Sequence, residues 1–341
     1  MIFSLPLLLG LAHGVSDAAA GLLVGLIIQR GSANINFMIL QYNLLAFGLQ
    51  PVAGILLDRI NLPRQGAAAG LLLTLTGLAI IPISLPLAIL LIGLGSAGLH
   101  AGGGSVAISS TPGKATAVGV FAAFGVVGLA LGGLASVNAA ETTRFVLMAL
   151  LAVLACLAWF IPQASIQLPG RDEQITQRGL LLLLVLVTAV ALRSTVWVGA
   201  PGNLARYTHV TLWLALSAGT GKLLGGFGAD RFGWKRWMLL TMLGAGLLLV
   251  LSSAWLPGMM FGVLLLQSVT PLSVAAVARS LPRFPALAAS LTFGTAIIAG
   301  GLPFFILPAG WFSPAILAVT LALSAALYSF ALKNEQHPKR S

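Results

Sequence analysis

The segment Gly226–Arg236, GFGADRFGWKR, is the strongest indication of the fold of this chain. An Asp-Arg pair stands there at the end of one long apolar run, and a glycine and two basic residues precede the next run. A weaker copy, Gly54–Arg64 (GILLDRINLPR), has the same spacing of Gly, Asp and Arg. The carboxylates Asp58 and Asp230 are about half the chain length apart. A charged hairpin that recurs once per half-chain predicts a duplicated membrane protein.

The composition indicates that lipid is the solvent of this chain. Its 341 residues are 58% hydrophobic and 7% charged, whereas soluble domains carry about 25% charged residues. The formal charge of +11 forms no patch, since Lys and Arg are scattered singly over short loops, so we expect no nucleic-acid partner. The single cysteine, Cys156, excludes a disulfide framework.

Twelve apolar segments are long enough, or nearly so, to cross a bilayer at about 20 residues each. Each is predicted to be a helix, because backbone groups in lipid must be paired within the segment. The fold class is therefore an all-α membrane protein with twelve transmembrane helices. The segments are 3–29, 36–57, 66–83, 86–109, 115–137, 144–163, 179–200, 207–229, 236–254, 257–278, 285–307 and 311–332.

The longest polar connection divides the segments six and six. We therefore predict an N-terminal six-helix bundle over 1–163, a cytoplasmic linker over 164–178 and a C-terminal bundle with a short tail over 179–341. Most Lys and Arg fall on one side of the membrane if both ends and both hairpins are cytoplasmic. We expect a multi-pass protein of a bacterial cytoplasmic (inner) membrane, with both termini in the cytoplasm.

The layout resembles the major facilitator superfamily, whose members have two pseudo-symmetric six-helix bundles. Their motif G-x-x-x-D-R-x-G-R-R lies between helices 2 and 3 and often recurs between helices 8 and 9. The second hairpin matches it with Gly226, Asp230, Arg231, Gly233, Lys235 and Arg236, and the first with Gly54, Asp58, Arg59 and Arg64 but Asn61 in place of a glycine. A carboxylate at a helix end can accept hydrogen bonds from the first N–H groups of a neighbouring helix and pair with Arg. Two such contacts predict a gate, and the alternative is a pair of stop-transfer charge clusters.

Within the superfamily, the chain is similar to the fosmidomycin-resistance-type efflux transporters. The stretches that carry this resemblance are Ala12–Asp17, Leu49–Asp58 and Gly93–Gly133. Where that family usually has His-Pro-Glu at the end of helix 4, this chain has His100-Ala101-Gly102. Small residues in helix 5 allow close approach of helices, and we predict helix packing at Gly125, Gly128, Gly132 and Gly133.

Four side chains are candidates for coupling and substrate binding. His13 and Asp17 share one face of helix 1, and a carboxylate inside a membrane is a functional hypothesis by default. We predict Asp17 as the proton-coupling carboxylate with His13 as its relay, against the alternative of a polar pair that ties helices together. Arg193, in the pseudo-symmetric helix 7, would pair with Asp17 or bind an anionic substrate, against snorkelling to the interface. His100 would line the cavity or relay protons, against a packing role.

Two other kinds of site can be considered. His13, Asp17 and His100 could together ligate a divalent cation, but only the first two have tight ligand spacing, so we predict no metal and no cofactor. Residues 220–224 (TGKLL) lack the spacing of a phosphate loop, and we predict no enzyme. Lys222 is expected to snorkel towards the cytoplasm.

These features predict a secondary active transporter that works by alternating access. The resemblance implies proton-coupled efflux of a small compound, anionic or amphiphilic. The expected partners are that substrate, protons and the lipid bilayer, and the expected state is a monomer. The alternatives are an uptake symporter and a non-transporting sensor or assembly protein on a carrier fold.

Overall fold

The computed structural model describes residues 4–31, 34–160, 176–199, 209–251, 255–308 and 312–333. Over these ranges the chain folds into twelve helices, each within a few residues of a predicted segment, which confirms the all-helical prediction. Most of the predicted linker 164–178 lies outside the described residues. The helices are α1 Ser4–Gln29, α2 Ile35–Ile60, α3 Pro63–Ile80, α4 Leu85–Ser110, α5 Thr116–Asn138, α6 Ala140–Phe160, α7 Gln177–Gly199, α8 Val210–Phe232, α9 Trp234–Leu251, α10 Leu256–Ser280, α11 Pro285–Ile306 and α12 Pro314–Ala331.

Nine of the helices in the described part of the chain are long and apolar enough to cross a membrane. The other three are α3, α8 and α9, which are also at least 18 residues long. Each of these three borders a charged hairpin and includes charged side chains from it, such as Arg64, Asp230 and Lys235.

Two hydrophobic clusters form the interior, one in each half of the chain. The first consists mainly of side chains from α1 to α6, and the second mainly of side chains from α7 to α12. In the first half α1 packs on α5, and α3 packs on α4 and α6. In the second half α7 packs on α11 and α12, and α8 on α10. The halves meet where α5 packs on α8 and where α11 packs on α2 and α4.

In two of the described helices, α2 and α10, the α-helical hydrogen bonding is interrupted but the chain continues without reversing direction. In α2 a π-helical turn at Leu44–Gly48 separates two α-helical parts. In α10 the α-helix stops at Gln267 and resumes at Thr270. Pro271 lies at the start of the second part and has no N–H to continue the ladder, which accounts for the break.

The contact between α1 and α5 depends on the absence of side chains. A Cβ added to Gly128 or Gly132 would collide with the backbone carbonyl oxygen of Gly14 or Ala18, respectively. Gly133 is different, because a Cβ there would lie 3.9 Å from the nearest backbone oxygen, an ordinary contact distance. Close backbone approach is how small residues stabilise helix pairs in lipid, and it brings the polar face of α1 against α5.

Candidate functional site

Three of the predicted site residues form one buried cluster. Nε2 of His13 lies 3.2 Å from Oδ2 of Asp17 on the same helix and 3.0 Å from Nε2 of His100 on α4. The two imidazoles are each 4% exposed. The ligand atoms of all three side chains lie within 4.8 Å of one another. The cluster thus joins α1 to α4, although the spacing along the chain indicated proximity for His13 and Asp17 alone.

Backbone carbonyls fix the proton positions on both imidazoles. Nδ1 of His13 lies 3.1 Å from the carbonyl oxygen of Phe121 in α5, and Nδ1 of His100 lies 2.8 Å from that of Ser96. A carbonyl oxygen can only accept, so each Nδ1 carries the hydrogen and donates it. In the neutral tautomers both Nε2 atoms therefore present lone pairs, and these point towards each other and towards the Asp17 carboxylate.

Aromatic rings from three further helices surround the imidazoles. Phe121 stacks on His13 with ring centroids 4.7 Å apart, while Phe47 of α2 and Phe293 of α11 lie 5.6 and 5.9 Å from the His100 ring. Since these rings offer no hydrogen bonds of ordinary strength, the imidazoles have few alternatives to one another and to Asp17. Phe293 belongs to the second half of the chain, so both halves contribute to the walls of the cluster.

Glycines provide the room for this cluster. A Cβ added to Gly125 would lie 2.5 Å from Cε1 of His13 and 2.6 Å from Oδ2 of Asp17. The predicted packing glycine thus faces the candidate site directly. At Gly102 a Cβ would collide with the carbonyl oxygen of Pro63 and lie 2.7 Å from the nitrogen of Ala67. Close packing of α3 on α4 thus leaves no room for a side chain at position 102.

Lys222 of α8 is half-buried and is a further positive group near enough to influence Asp17, after the two imidazoles. It interacts electrostatically with Asp17 and also with Arg193. The expectation that Lys222 snorkels towards the cytoplasm stays a prediction. A single sequence could not indicate this electrostatic interaction, because it links helices from opposite halves of the chain.

Arg193 lies in the second half of the chain, away from the predicted partner. It is 1% exposed, and its Nη1 donates to the carbonyl oxygen of Leu266 at 3.3 Å. Its charge also acts electrostatically on Tyr328. Its Nε has no hydrogen-bond partner among the described residues. Tyr328 in turn contacts the Ser273 hydroxyl at 2.6 Å. The interactions of Asp17 involve the two imidazoles and Lys222, so Arg193 does not provide its charge partner in this state.

The second hairpin is bound tightly to the start of α5. The Asp230 carboxylate accepts hydrogen bonds from the N–H groups of Ala115 at 2.9 Å and Thr116 at 2.9 Å, and from the Thr116 hydroxyl. The indole N–H of Trp234 donates to it at 3.1 Å. Arg279 stacks on Trp234, 3.5 Å from the ring centroid. We call this set of contacts the α5 lock.

The first hairpin makes the equivalent contact with α11. The Asp58 carboxylate accepts hydrogen bonds from the N–H groups of Ala286 at 2.9 Å and Leu287 at 2.8 Å. Gly54 lies one turn earlier, where a Cβ would be 2.8 Å from the Ala286 carbonyl oxygen. We call these contacts the α11 lock. Both carboxylates thus bind free N–H groups at a helix start, where the helix dipole favours an anion.

The basic residues of the two motifs are not buried. The exposed ones are Arg59, Arg231 and Arg236, and the half-buried ones are Arg64 and Lys235. Arg279, which the motif does not include, donates to the Gly113 carbonyl oxygen at 2.9 Å and so adds a second link to the α4–α5 connection. Sequence reasoning missed Thr116, Trp234 and Arg279, and among these only Trp234 lies inside a motif.

The fold of the described residues is shared with solved structures of transporters. The structure is similar to two structures of FucP, one of a variant of the E. coli fucose:proton symporter and one of this major facilitator superfamily transporter in the outward conformation. Each has TM-score 0.74, 14% identity and 98% of both chains covered. It is also similar to the human organic anion transporter MFSD10 (TETRAN), with TM-score 0.68, 15% identity and coverage of 97% of this chain and 98% of that one. No protein-family model matches the sequence, and no curated protein matches it either. At these identities the similarity establishes the major facilitator fold, and it does not extend to the fosmidomycin-resistance subtype.

Proposed function

We propose that the chain is a proton-coupled secondary transporter that works by alternating access. The observation that carries the proposal is the buried cluster of His13, Asp17 and His100 inside a fold shared with transporters. Three lone pairs that converge in a membrane interior require a cation to be stable. A proton on Nε2 of His13 can be donated to His100 or to Asp17. The cluster can therefore hold and release a proton without large rearrangement.

In the proposed architecture twelve transmembrane helices form two pseudo-symmetric six-helix bundles, over 1–163 and 179–341, joined by the linker 164–178. The division of the hydrophobic interior into two clusters supports this arrangement. Both hairpins and both termini would face the cytoplasm of a bacterial cell, with the protein a monomer in the inner membrane. The α5 and α11 locks would then hold the cytoplasmic ends together, and their release would open that side.

For direction and cargo we propose efflux of a small compound, anionic or amphiphilic, on the basis of the sequence resemblance. Arg193 would contact an anionic group, since it is buried and its Nε has no partner in the described part of the chain. A second candidate is uptake by proton symport, because FucP is named as a fucose:proton symporter. The locks themselves carry no information on direction, as they close one side of the protein in either case.

The experiment uses proteoliposomes that contain a pH-sensitive dye. Phosphonates, organic acids, sugars and common drugs are added singly to the wild type, to Asp17→Asn and to Glu141→Gln. Glu141 is the matched control, because its carboxylate side chain is 70% exposed and pairs with Arg144 at a distance from the cluster. We expect one compound to drive proton flux in the wild type and in Glu141→Gln, and the flux to fall at least about tenfold in Asp17→Asn.

The alternatives give different results in the same assay. Tracer movement that retains its pH dependence in Asp17→Asn would exclude this carboxylate as the coupling group. Tracer movement without proton flux would indicate a uniporter or another coupling ion. Absence of flux for every compound, in vesicles where the protein is shown to be folded, favours a sensor or assembly protein. The sign of the proton gradient that accelerates tracer exit distinguishes efflux from uptake.

A further inference from the structure

We infer that His13, Asp17 and His100 form a binding site for one divalent transition-metal ion. The ligands are Nε2 of each imidazole and a carboxylate oxygen of Asp17. The inference rests on the proposed transport function only for movement of the ion and not for its binding. It names a cargo class, a metal cation, that differs from the anionic compound suggested by Arg193.

The spacing of the ligand atoms is the first argument. Zn–N distances near 2.0–2.1 Å place neighbouring ligands of one ion about 2.8–3.4 Å apart in octahedral or tetrahedral geometry. The observed separations are 3.0 Å between the two Nε2 atoms and 3.2 Å between His13 Nε2 and Asp17 Oδ2. The remaining separation is at most 4.8 Å. Two of the three separations therefore already match those between ligands of one ion, and binding would draw Asp17 and His100 together.

The contacts behind the ligands are the second argument. Histidines that bind metals usually donate the other ring N–H to a backbone carbonyl or a carboxylate, which fixes the tautomer and the ring orientation. Both imidazoles do so here, towards the carbonyl oxygens of Phe121 and Ser96. A shared proton bridges only one pair of these atoms at a time. A divalent ion satisfies all three atoms at once.

The ligand set also selects among metals. Two imidazole nitrogens and one carboxylate oxygen suit Zn²⁺, Co²⁺ and Fe²⁺, whereas Mg²⁺ and Ca²⁺ prefer sites made of oxygen atoms. Three protein ligands leave at least one coordination position for water, as in catalytic rather than structural zinc sites. An ion with an open position exchanges more readily than one in a closed site of four protein ligands.

Charged groups near the site make the binding competitive. Lys222 interacts electrostatically with Asp17, and Arg193 interacts with Lys222. A divalent ion at the cluster would be repelled by the Lys222 ammonium group, which belongs to the other half of the chain. Lys222→Gln removes this positive charge and should therefore tighten metal binding.

The test uses the full chain, purified through an affinity tag without histidines and reconstituted in nanodiscs. Co²⁺ is titrated with its visible d–d absorption as the readout, Zn²⁺ is used to displace it, and Mg²⁺ serves as the unreactive ion. The variants are His13→Ala, Asp17→Asn, His100→Ala and Lys222→Gln. The control is His209→Ala, because His209 is an exposed histidine at the start of α8.

The expected result is one Co²⁺ per chain, displaced by Zn²⁺ and not by Mg²⁺. Each ligand variant should weaken Zn²⁺ binding at least about tenfold, His209→Ala should not, and Lys222→Gln should tighten it severalfold. Because Lys222→Gln should bind Zn²⁺ more tightly, the inference can still be tested if a ligand variant fails to fold. Absence of binding in the wild type, or binding that survives in both His13→Ala and His100→Ala, would overturn the inference. Proton flux with an organic compound in a protein that binds no metal would leave the transporter proposal standing, and metal binding without flux would leave only the site.

Discussion

The two hairpins hold the halves of the molecule together by the same device but with different numbers of contacts. Asp58 in the α11 lock accepts hydrogen bonds from the N–H groups of Ala286 and Leu287. Asp230 in the α5 lock accepts from two backbone N–H groups and also from the Thr116 hydroxyl and the Trp234 indole. The hairpin with the more complete motif is thus the one with the richer hydrogen-bond set. The N–H groups of the helix start provide the hydrogen bonds that both locks share, and in the α5 lock the side chains of Thr116 and Trp234 provide further ones.

The largest difference between the locks should appear when their carboxylates are neutralised. Asp230→Asn removes a charge that accepts several hydrogen bonds, and bonds to charged groups contribute about 1.5–3 kcal/mol each. Because asparagine keeps one acceptor oxygen, only part of each hydrogen-bond set is lost. We expect a loss of about 3 kcal/mol in Asp230→Asn and about 2 kcal/mol in Asp58→Asn. Hydrogen exchange followed by mass spectrometry at residues 115–120 and 285–290 measures the opening of each helix start.

Glu141→Gln is the control for this pair, and Thr116→Val separates the hydroxyl from the charge. The hydroxyl is one bond to a charged group and contributes about 1.5 kcal/mol, so exchange at residues 115–120 should rise less in Thr116→Val than in Asp230→Asn. Faster opening in Asp58→Asn than in Asp230→Asn would contradict the ranking of the locks. If either aspartate variant raised hydrogen exchange equally at both helix starts, the two locks would open only together.

Substitution of the motif glycines by alanine should destabilise the α11 lock more than the α5 lock, the reverse of the order expected for the aspartates. A Cβ on Gly54 would lie 2.7 Å from the Ser290 hydroxyl and 2.8 Å from backbone atoms of α11, whereas a Cβ on Gly226 would lie 2.9 Å from the nearest atom of the α5 start. We expect a loss of about 2 kcal/mol for Gly54→Ala and about 1 kcal/mol for Gly226→Ala, since overpacking typically costs about 1–3 kcal/mol. Thermal unfolding in detergent checks this.

Gly301→Ala in α11 is the matched control, because no atom of the described residues lies within 4 Å of the added Cβ. Alanine is the better helix former, so this variant should be unchanged or slightly more stable. A larger loss in Gly226→Ala than in Gly54→Ala would show that the α5 lock is limited by space and not by hydrogen bonds.

The smallest effects are expected at the turns that follow the two aspartates. Asn61 has φ 54° and ψ 41°, in the left-handed region that asparagine tolerates, whereas Gly233 has φ 90° and ψ 135°, outside it. Asn61→Gly should therefore change the free energy of unfolding by less than about 0.5 kcal/mol. Gly233→Asn should lower it by about 1 kcal/mol. Denaturation of both variants in detergent measures the difference, and equal losses would show that the two turns are equivalent.

The helices were predictable from the sequence because length and hydropathy determine what can cross a bilayer. The first and last residues of α1, α5 and α11 differ from the predicted ones by no more than a residue or two. The π turn in α2 and the break in α10 were not predicted, since both occur inside continuous apolar runs. Nine helices meet the hydropathy of a membrane span in the described part of the chain, and twelve spans remain a prediction.

The candidate site was predictable only where its residues share a helix. The i, i+4 spacing placed His13 beside Asp17, but the approach of His100 depends on how α4 packs against α1. The same limit applies to Lys222, since its attraction to Asp17 depends on contact between α5 and α8. A single sequence carries no signal for such contacts. The roles of the site residues and of the locks stay predictions.

The π turn at Leu44–Gly48 affects how two side chains of α2 are oriented, because that orientation depends on the number of residues between them. One residue more or less in a helix rotates everything beyond it by about 100°, and a π turn accommodates one extra residue. Phe47, inside this turn, faces His100, while Asp58, beyond it, faces the start of α11. Deletion of a single residue between them would turn one of these side chains away from its partner. Variation among relatives should therefore change the identity of residues 48–57 more freely than their number.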